Sequence, residues 1–436
     1  MTRHISDTAS DTASDTAPDT APDASTDTAT DAAPILAGLL TDEGAADPHP
    51  LFERARTLGP VVPAGDGLLL VTGYQEAERL TRDRAFGILS GAAREPADPG
   101  SAPAAHLSRR IVAASLLETD PPHHTRLRSL VSSFFAGRRI RSFEALIAAE
   151  VDDLLDGMPD HANPSGTVDF MEAFASRLPM RVICELLGVP RADRLRFRAA
   201  ASALTLTLEL APPPDAVAAA DQAVAELVEY FAGLAARRRA DPRDDLASAL
   251  ASAAHGPEPR LSGHEMLSMF VLLLVAGFDT TVNLLGNATA LALRHPLAAD
   301  ELRTGRTPAT GFTDEVLRLE SPVQYAARVP LRTGLTVGGV PAPLGTIALV
   351  FLGAANRDPR QYDRPAEFDP LRTGPQPLAF GGGAHFCLGA PLARLEGNIA
   401  LPALLRRFPR LRPAGEPVRR RGLMMRGYER LPVTLG

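Results

Sequence analysis

Cysteine is nearly absent: Cys184 and Cys387 are the only two in 436 residues. Two thiols cannot build a disulfide framework or a multi-cysteine metal site, and such a chain is expected in a reducing cytoplasm. Long apolar runs are missing too. The longest, around Met266 to Phe278, is interrupted by Ser268 and followed by Asp279. It falls short of the roughly 18 apolar residues of a membrane span and is expected to be a buried helix instead. No apolar segment opens the chain as a secretory signal would. Lysine is wholly absent, all 45 basic side chains being arginine; we read this as coding bias without functional content. Nor is there a concentrated positive field. Residues 1–32 hold seven Asp and one Arg, so they carry −6 of the formal −7 and leave −1 for the rest. That gives no support to nucleic-acid binding.

What is present is 45% hydrophobic and long enough for a large core. Residues 6–32 carry Asp at every fourth position from Asp7 to Asp31. On a helix those carboxylates would stack and repel, and almost no large apolar side chain is there to offset the ordering entropy. Residues 1–32 are therefore expected to be a disordered tail and 33–436 a single domain. Helical patterns fall near 75–84, 122–135, 141–156, 169–187, 215–239, 263–295, 311–320 and 390–408. GLLLVTGY (67–74) reads as a strand, 328–352 as a second β zone, and 353–380 as an ordered loop. The pattern predicts a mainly α fold with a small β part, in the α+β class.

Cys387 lies in FGGGAHFCLG, just before a predicted helix whose N-terminal N–H groups and dipole favour thiolate over thiol. Glycines 381 to 383 let the backbone turn sharply and lie close to something flat or bulky. One thiolate argues against zinc, and no Gly-Lys-Ser/Thr follows to cradle phosphate. A lone thiolate in a tight glycine loop is one way to ligate haem iron; on spacing alone, a buried structural cysteine is the alternative. Within 263–295, Ser262 and Glu265 form a capping box and Pro296 ends the pattern. Gly277, costly in a helix interior, implies a close neighbour. Thr280 can bond back to the carbonyl of Ala276, opening the helix locally. Asp279 beside it is either a functional acid or simply faces the surface. His124 and Arg128 are i,i+4 neighbours, by default a solvated basic face.

Phe380-Gly381-x-Gly383-x-His385-x-Cys387-x-Gly389, followed by Ala390, Leu392, Ala393, Arg394 and Glu396, resembles the haem-binding signature of the cytochrome P-450 family. TDPPHHTRLRSLV (119–131), AGFDTT (276–281), Glu315-x-x-Arg318, ANRDP (355–359) and FDPLR (368–372) are similar to further family segments in family order, over roughly 35–436. The resemblance implies that fold, with haem b between the long distal helix and the Cys387 loop and helix. It makes Cys387 the axial ligand and metal-binding residue. His124, Arg128, Arg328 and His385 become propionate contacts, and Phe380, Gly381, Gly389, Ala276 and Gly277 further haem contacts. Asp279 and Thr280 become the acid–alcohol pair that delivers protons to dioxygen, and Glu315 and Arg318 a structural ion pair. Glu367 stands where many relatives carry arginine, which leaves the completion of that ion pair open.

The reaction so implied is a monooxygenation, hydroxylation or epoxidation. Running the same scaffold as oxidative coupling or peroxide-driven oxidation, or as a non-catalytic haem-binding protein, is the alternative. No flavin motif and no iron–sulfur cysteine set is present, so electrons would come from NAD(P)H through a separate ferredoxin and ferredoxin reductase. Arg126, Arg138, Arg139, Arg394 and Arg406 are candidates for the docking face. Specificity is expected from 88–116, from 197–219 with Leu204, Leu206 and Leu208, and from Leu272, Val275, Val323, Gln324, Met424 and Met425. This mainly apolar wall suits a sizeable natural product, such as a polyketide, macrolide, terpenoid or modified peptide, carrier-bound or free. The chain is expected to be a cytoplasmic monomer, with no nucleic-acid or membrane partner.

Overall fold

The computed structural model describes residues 24–65, 67–88, 106–213, 215–256 and 258–436. Helices dominate, with small sheets, as the periodicity predicts. The largest sheet joins β1 (Val61–Pro63), β2 (Leu68–Val71), β3 (Phe86–Gly87), β4 (Tyr325–Pro330) and β5 (Ile347–Phe351) in the order β1-β2-β5-β4-β3. β2 and β5 run parallel, Leu68 opposite Ile347 and Val71 opposite Val350; the other pairs are antiparallel. Apolar side chains of 67–74 and 328–352 thus meet across nearly 280 residues of chain.

The helix Gly263–Arg294 runs through the main core. Ser262 and Glu265 close its capping box, and His295 caps it before Pro296. It is the one helix among the described residues long and apolar enough to cross a membrane, and 78% of its apolar window is buried in protein. A Cβ on Gly277 would lie 2.8 Å from Ile183 Cδ1, so glycine lets the helix Leu178–Leu187 pack close. Pro296 stops the long helix and also starts another, Pro296–Thr304, because a first-turn proline lacks only an N–H that would be unpaired anyway. The same rule accounts for His49–Leu58, with Pro50 in its first turn, and for the break of 169–187 before Leu178, with Pro179 in the first turn of the second piece.

The first helix, Ala24–Leu39, begins inside the stretch read as a disordered tail. Its apolar face explains why: Ala32, Ile35 and Leu39 are fully buried in a cluster with Phe52 and Ala55. Residues 1–23 of the tail and 89–105 of the expected specificity loop lie outside the described residues.

Two buried ionic clusters join distant segments. Glu315 takes a two-point bond from Arg318, at 2.8 Å on each oxygen, and a third from Arg372 Nε at 3.1 Å. Arg318 also donates to the carbonyls of Asn356, Pro365 and Glu367. The open question at Glu367 is thereby answered. Its carbonyl accepts from Arg318 and Arg372, its side chain pairs with Arg364 in solvent, and Arg372 is the second cation on Glu315. In the other cluster, burial pushes the Glu320 carboxyl up, but Arg426, Arg419 and Arg357 outweigh it and hold it at about 2. His49 beside them is driven down to about 2 by burial and by the same arginines, and its Nε2 has no hydrogen-bond partner among the described residues.

Arg372→Ala should therefore cost about 2 kcal/mol or more in urea unfolding, because a buried carboxylate loses a cation. Glu367→Ala should cost less than about 0.5 kcal/mol, because its pair is exposed. His49 sets a pH effect of definite sign. Below its ordinary value of 6.5 the unfolded chain takes up a proton there that the folded chain refuses. Stability should then fall by up to about 1.4 kcal/mol per pH unit on acidification below 6.5. His49→Phe should flatten that slope in denaturation at stepped pH.

Candidate functional site

The loop from Phe380 to Gly389 leads directly into the helix Ala390–Arg407. The Cys387 N–H donates to the Phe380 carbonyl at 3.0 Å and closes the loop. Gly381, at φ 66°, takes a conformation that side chains resist, with open space where a Cβ would point. Gly382 and Gly383 have another reason to be glycine: a Cβ on either would lie 2.6 Å from Thr81, on its Oγ1 or its carbonyl. Those two glycines let the loop pack against the helix Tyr74–Arg82. The Cys387 thiol is enclosed by protein, while the residue as a whole is half-buried. Burial pushes its thiol up, against N–H groups of Gly389 and Ala390 and the charges of Arg128 and Arg394. The helix N–H groups favour the thiolate, as the sequence leads one to expect, but burial outweighs them, and a cation bound to the sulfur would stabilise the anion.

On the long helix, Leu272, Ala276, Gly277 and Thr280 keep accessible surface while the turns around them are sealed, Val275 included. Leu272, Ala276 and Thr280 are spaced i, i+4, i+8 and so form one stripe. Thr280 Oγ1 donates to the Ala276 carbonyl at 2.7 Å, and the helix stays continuous around it rather than opening. Asp279 is 1% exposed. It is held by Arg420 at 3.1 and 3.3 Å and by the Ser202 hydroxyl at 3.2 Å. Neither partner was foreseeable from spacing, since one comes from the C-terminal hairpin, whose strands Val418–Arg419 and Tyr428–Arg430 pair antiparallel, and the other from the helix Arg198–Leu206.

His124, Arg128, Arg328 and His385 come together from three places in the chain. The His124 and His385 rings lie 4.2 Å apart, and Asp120 meets His385 Nε2 at 3.3 Å. Burial, then His385 and Arg128, push His124 down to about 4, and burial and Arg328 lower His385. Arg128 donates to the carbonyls of Ala384 and Phe386, bracing the cysteine loop. Arg328 is 5% exposed and donates only to Ala327 O; no carboxylate lies within ion-pairing distance of it among the described residues. A buried guanidinium without a counter-charge is costly and calls for an anion. An enclosed thiol that needs a cation, a guanidinium that needs an anion and a stripe of small accessible residues together fit an iron porphyrin with its carboxylates.

The expected pocket wall divides. Val323 and Met424 keep partial exposure, and Leu206 and Leu208 are half-buried, whereas Leu204 and Met425 are buried. Gln324 turns inward. Its amide donates to Ser321 O and packs on Gly353, so it braces the turn rather than lining open space. Of the arginines considered for docking, Arg126 is paired with Glu265, Arg139 with Asp244 and Arg394 with Asp314. Arg138 and Arg406 are exposed and make no ion pair among the described residues.

A family model described as cytochrome P450 matches residues 309–423. The chain is 40% identical over 404 residues to cytochrome P450 monooxygenase PikC of Streptomyces venezuelae, covering 91% of this chain and 93% of that protein. It is 37% identical to 6-deoxyerythronolide B hydroxylase of Saccharopolyspora erythraea, covering 91% and 98%. Among solved structures, P450BioI in complex with hexadec-9Z-enoic acid ligated acyl carrier protein superposes with a TM-score of 0.81 at 31% identity, covering 90% and 100%.

Arg420→Leu should cost about 2–3 kcal/mol in urea unfolding, since Asp279 would stay buried with only a hydroxyl partner. The double variant Asp279→Asn/Arg420→Leu should recover more than half of that loss, which a double-mutant cycle measures.

Proposed function

The chain belongs to the cytochrome P450 family and is a monooxygenase, and on that premise we propose that it hydroxylates or epoxidises a mainly apolar natural product. The observation that carries this reading is the accessible stripe at Leu272, Ala276, Gly277 and Thr280, on a helix whose other residues from Ser268 to Ala292 are buried, with the buried acid Asp279 next in line. Small side chains leave room for a flat cofactor and a small gas, and an acid beside an alcohol can pass protons. A protein that merely binds haem has no need of either.

Haem b, held by Cys387 with its carboxylates met by Arg328, His124, Arg128 and His385, would supply the reductive activation of dioxygen, helped by the electron push of a thiolate. The chain's own groups do the rest. Arg328 neutralises a carboxylate in a buried place, and His124, held neutral at pH 7, offers a hydrogen bond without adding charge. The hydroxyl of Thr280 holds water at the stripe, and Asp279, gripped by Arg420 and Ser202, passes protons inward when that grip loosens. Leu272, Leu206, Leu208, Val323 and Met424 offer apolar surface to a substrate. The hydroxylase of 6-deoxyerythronolide B and the acyl-carrier complex among its relatives favour a polyketide-like substrate, free or carrier-bound. Electrons come from NAD(P)H through a ferredoxin and its reductase, with Arg138 and Arg406 free to meet an acidic partner.

Reconstitution with a surrogate ferredoxin, its reductase and NADPH should give substrate-dependent oxygen uptake and a product carrying one new oxygen atom. An oxidised product without new oxygen would instead mean coupling chemistry. Cys387→Ala should lose the thiolate signature of the reduced, carbon monoxide-bound spectrum. Thr280→Ala should keep that spectrum but divert electrons to hydrogen peroxide, lowering product per NADPH about tenfold or more; full coupling in that variant would refute the proton role.

A further inference from the structure

Three of the regions marked for specificity, the part of 197–219 up to residue 213, the pair Val323 and Gln324, and the turn at Met424 and Met425, are tied together through one side chain. Glu209 lies in the loop after the helix Arg198–Leu206 and is 9% exposed. The Leu423 N–H donates to its Oε2 at 3.0 Å, and the Met424 N–H reaches Oε1 at 3.1 Å and Oε2 at 2.9 Å. Gly422, at φ 93°, brings the turn so near that a Cβ there would collide with Oε1. Arg420, whose charge reaches Glu209, is paired with Asp279 instead. On its other side the same turn is joined to the second segment. The Gln324 N–H donates to Met424 O at 2.9 Å, and Val323 bridges Met425. Among the described residues, further polar ties from 198–213 to these walls include Tyr325 to Leu208 O at 3.3 Å and Ser202 to Asp279 at 3.2 Å.

We propose that Glu209 latches the segment 198–213 down as a lid over the substrate chamber, and so sets how fast bulky ligands enter and leave. It is a positioning residue, acting through the Gly422–Met425 turn. The inference rests on the reading above only in taking the space beside Leu272 and Thr280 as that chamber. The physical reason is asymmetry. Charge-assisted bonds to a buried carboxylate are strong, and losing the acceptor strands two backbone N–H groups that regain partners only when water enters, which means when the lid lifts. Burial pushes the Glu209 carboxyl up against the donors of the turn, so the latch is held by those N–H groups.

The test uses haem-loaded protein and two probes that bind haem iron, econazole as the bulky one and imidazole as the small one, followed by stopped-flow absorbance. Glu209→Ala should speed econazole dissociation about tenfold, equivalent to losing roughly 1.4 kcal/mol of closure. The isosteric Glu209→Gln, which keeps one acceptor, should give a smaller increase. Gly422→Ala, which pushes the latch from the other side, should resemble Glu209→Ala. Imidazole rates should stay within about twofold, and the carbon monoxide spectrum should be unchanged. Unaltered econazole dissociation in both Glu209→Ala and Gly422→Ala would overturn the proposal. So would equal acceleration of both probes in Glu209→Gln, which would indicate general loosening. Failure of the monooxygenase reading is separately visible, as wild-type protein that binds econazole yet forms no oxygenated product.

Discussion

The sulfur of Cys387 is the constraint from which the rest of the site follows. Enclosed by protein, it is pushed toward the neutral thiol, and the N–H groups of Gly389 and Ala390 do not reverse that. A cation bonded to the sulfur would stabilise the anion there, and the surroundings suit such a group. Arg128 braces the loop through two carbonyls, Gly382 and Gly383 allow it to press on Thr81, and Arg328 lies nearby with no ion-pair partner among the described residues.

The second organising feature is how a mostly apolar helix tolerates polar groups. Asp279 and Asn287, eight residues apart on the long helix, are both fully buried and both face the C-terminal hairpin. Arg420 meets the first; the second donates to the carbonyls of Glu320 and Arg426. The hairpin is thus more than a closing strand pair. It pairs with the acid beside Thr280 and carries the turn that Glu209 grips, so the proposed proton path and the proposed substrate wall would share one support.

Legibility differed by kind of signal. Cys387, the long helix with its cap, and the Glu315–Arg318 pair were readable because each depends on residues near one another in sequence. The glycines were readable as marks of sharp turns and close approach, but not for which neighbour each approaches. Gly277 answers to Ile183, and Gly382 and Gly383 to Thr81, because a missing Cβ announces a close neighbour without naming it. Gln324, read as a wall residue, turns inward because Gly353 leaves room for its amide.

The sequence by itself determined the class of fold, the lone thiol before a helix, the acid–alcohol pair, and the family these motifs resemble, since all of these are local patterns of residue type and spacing. Tertiary structure alone decided the partners of the buried charges: Arg420 on Asp279, Arg372 on Glu315, the arginines around Glu320, and the turn on Glu209. Each pair spans from tens to hundreds of residues of chain, and a charge in a low-dielectric interior takes whatever counter-group packing brings near it. That choice is made by the whole fold, and no stretch of sequence contains it.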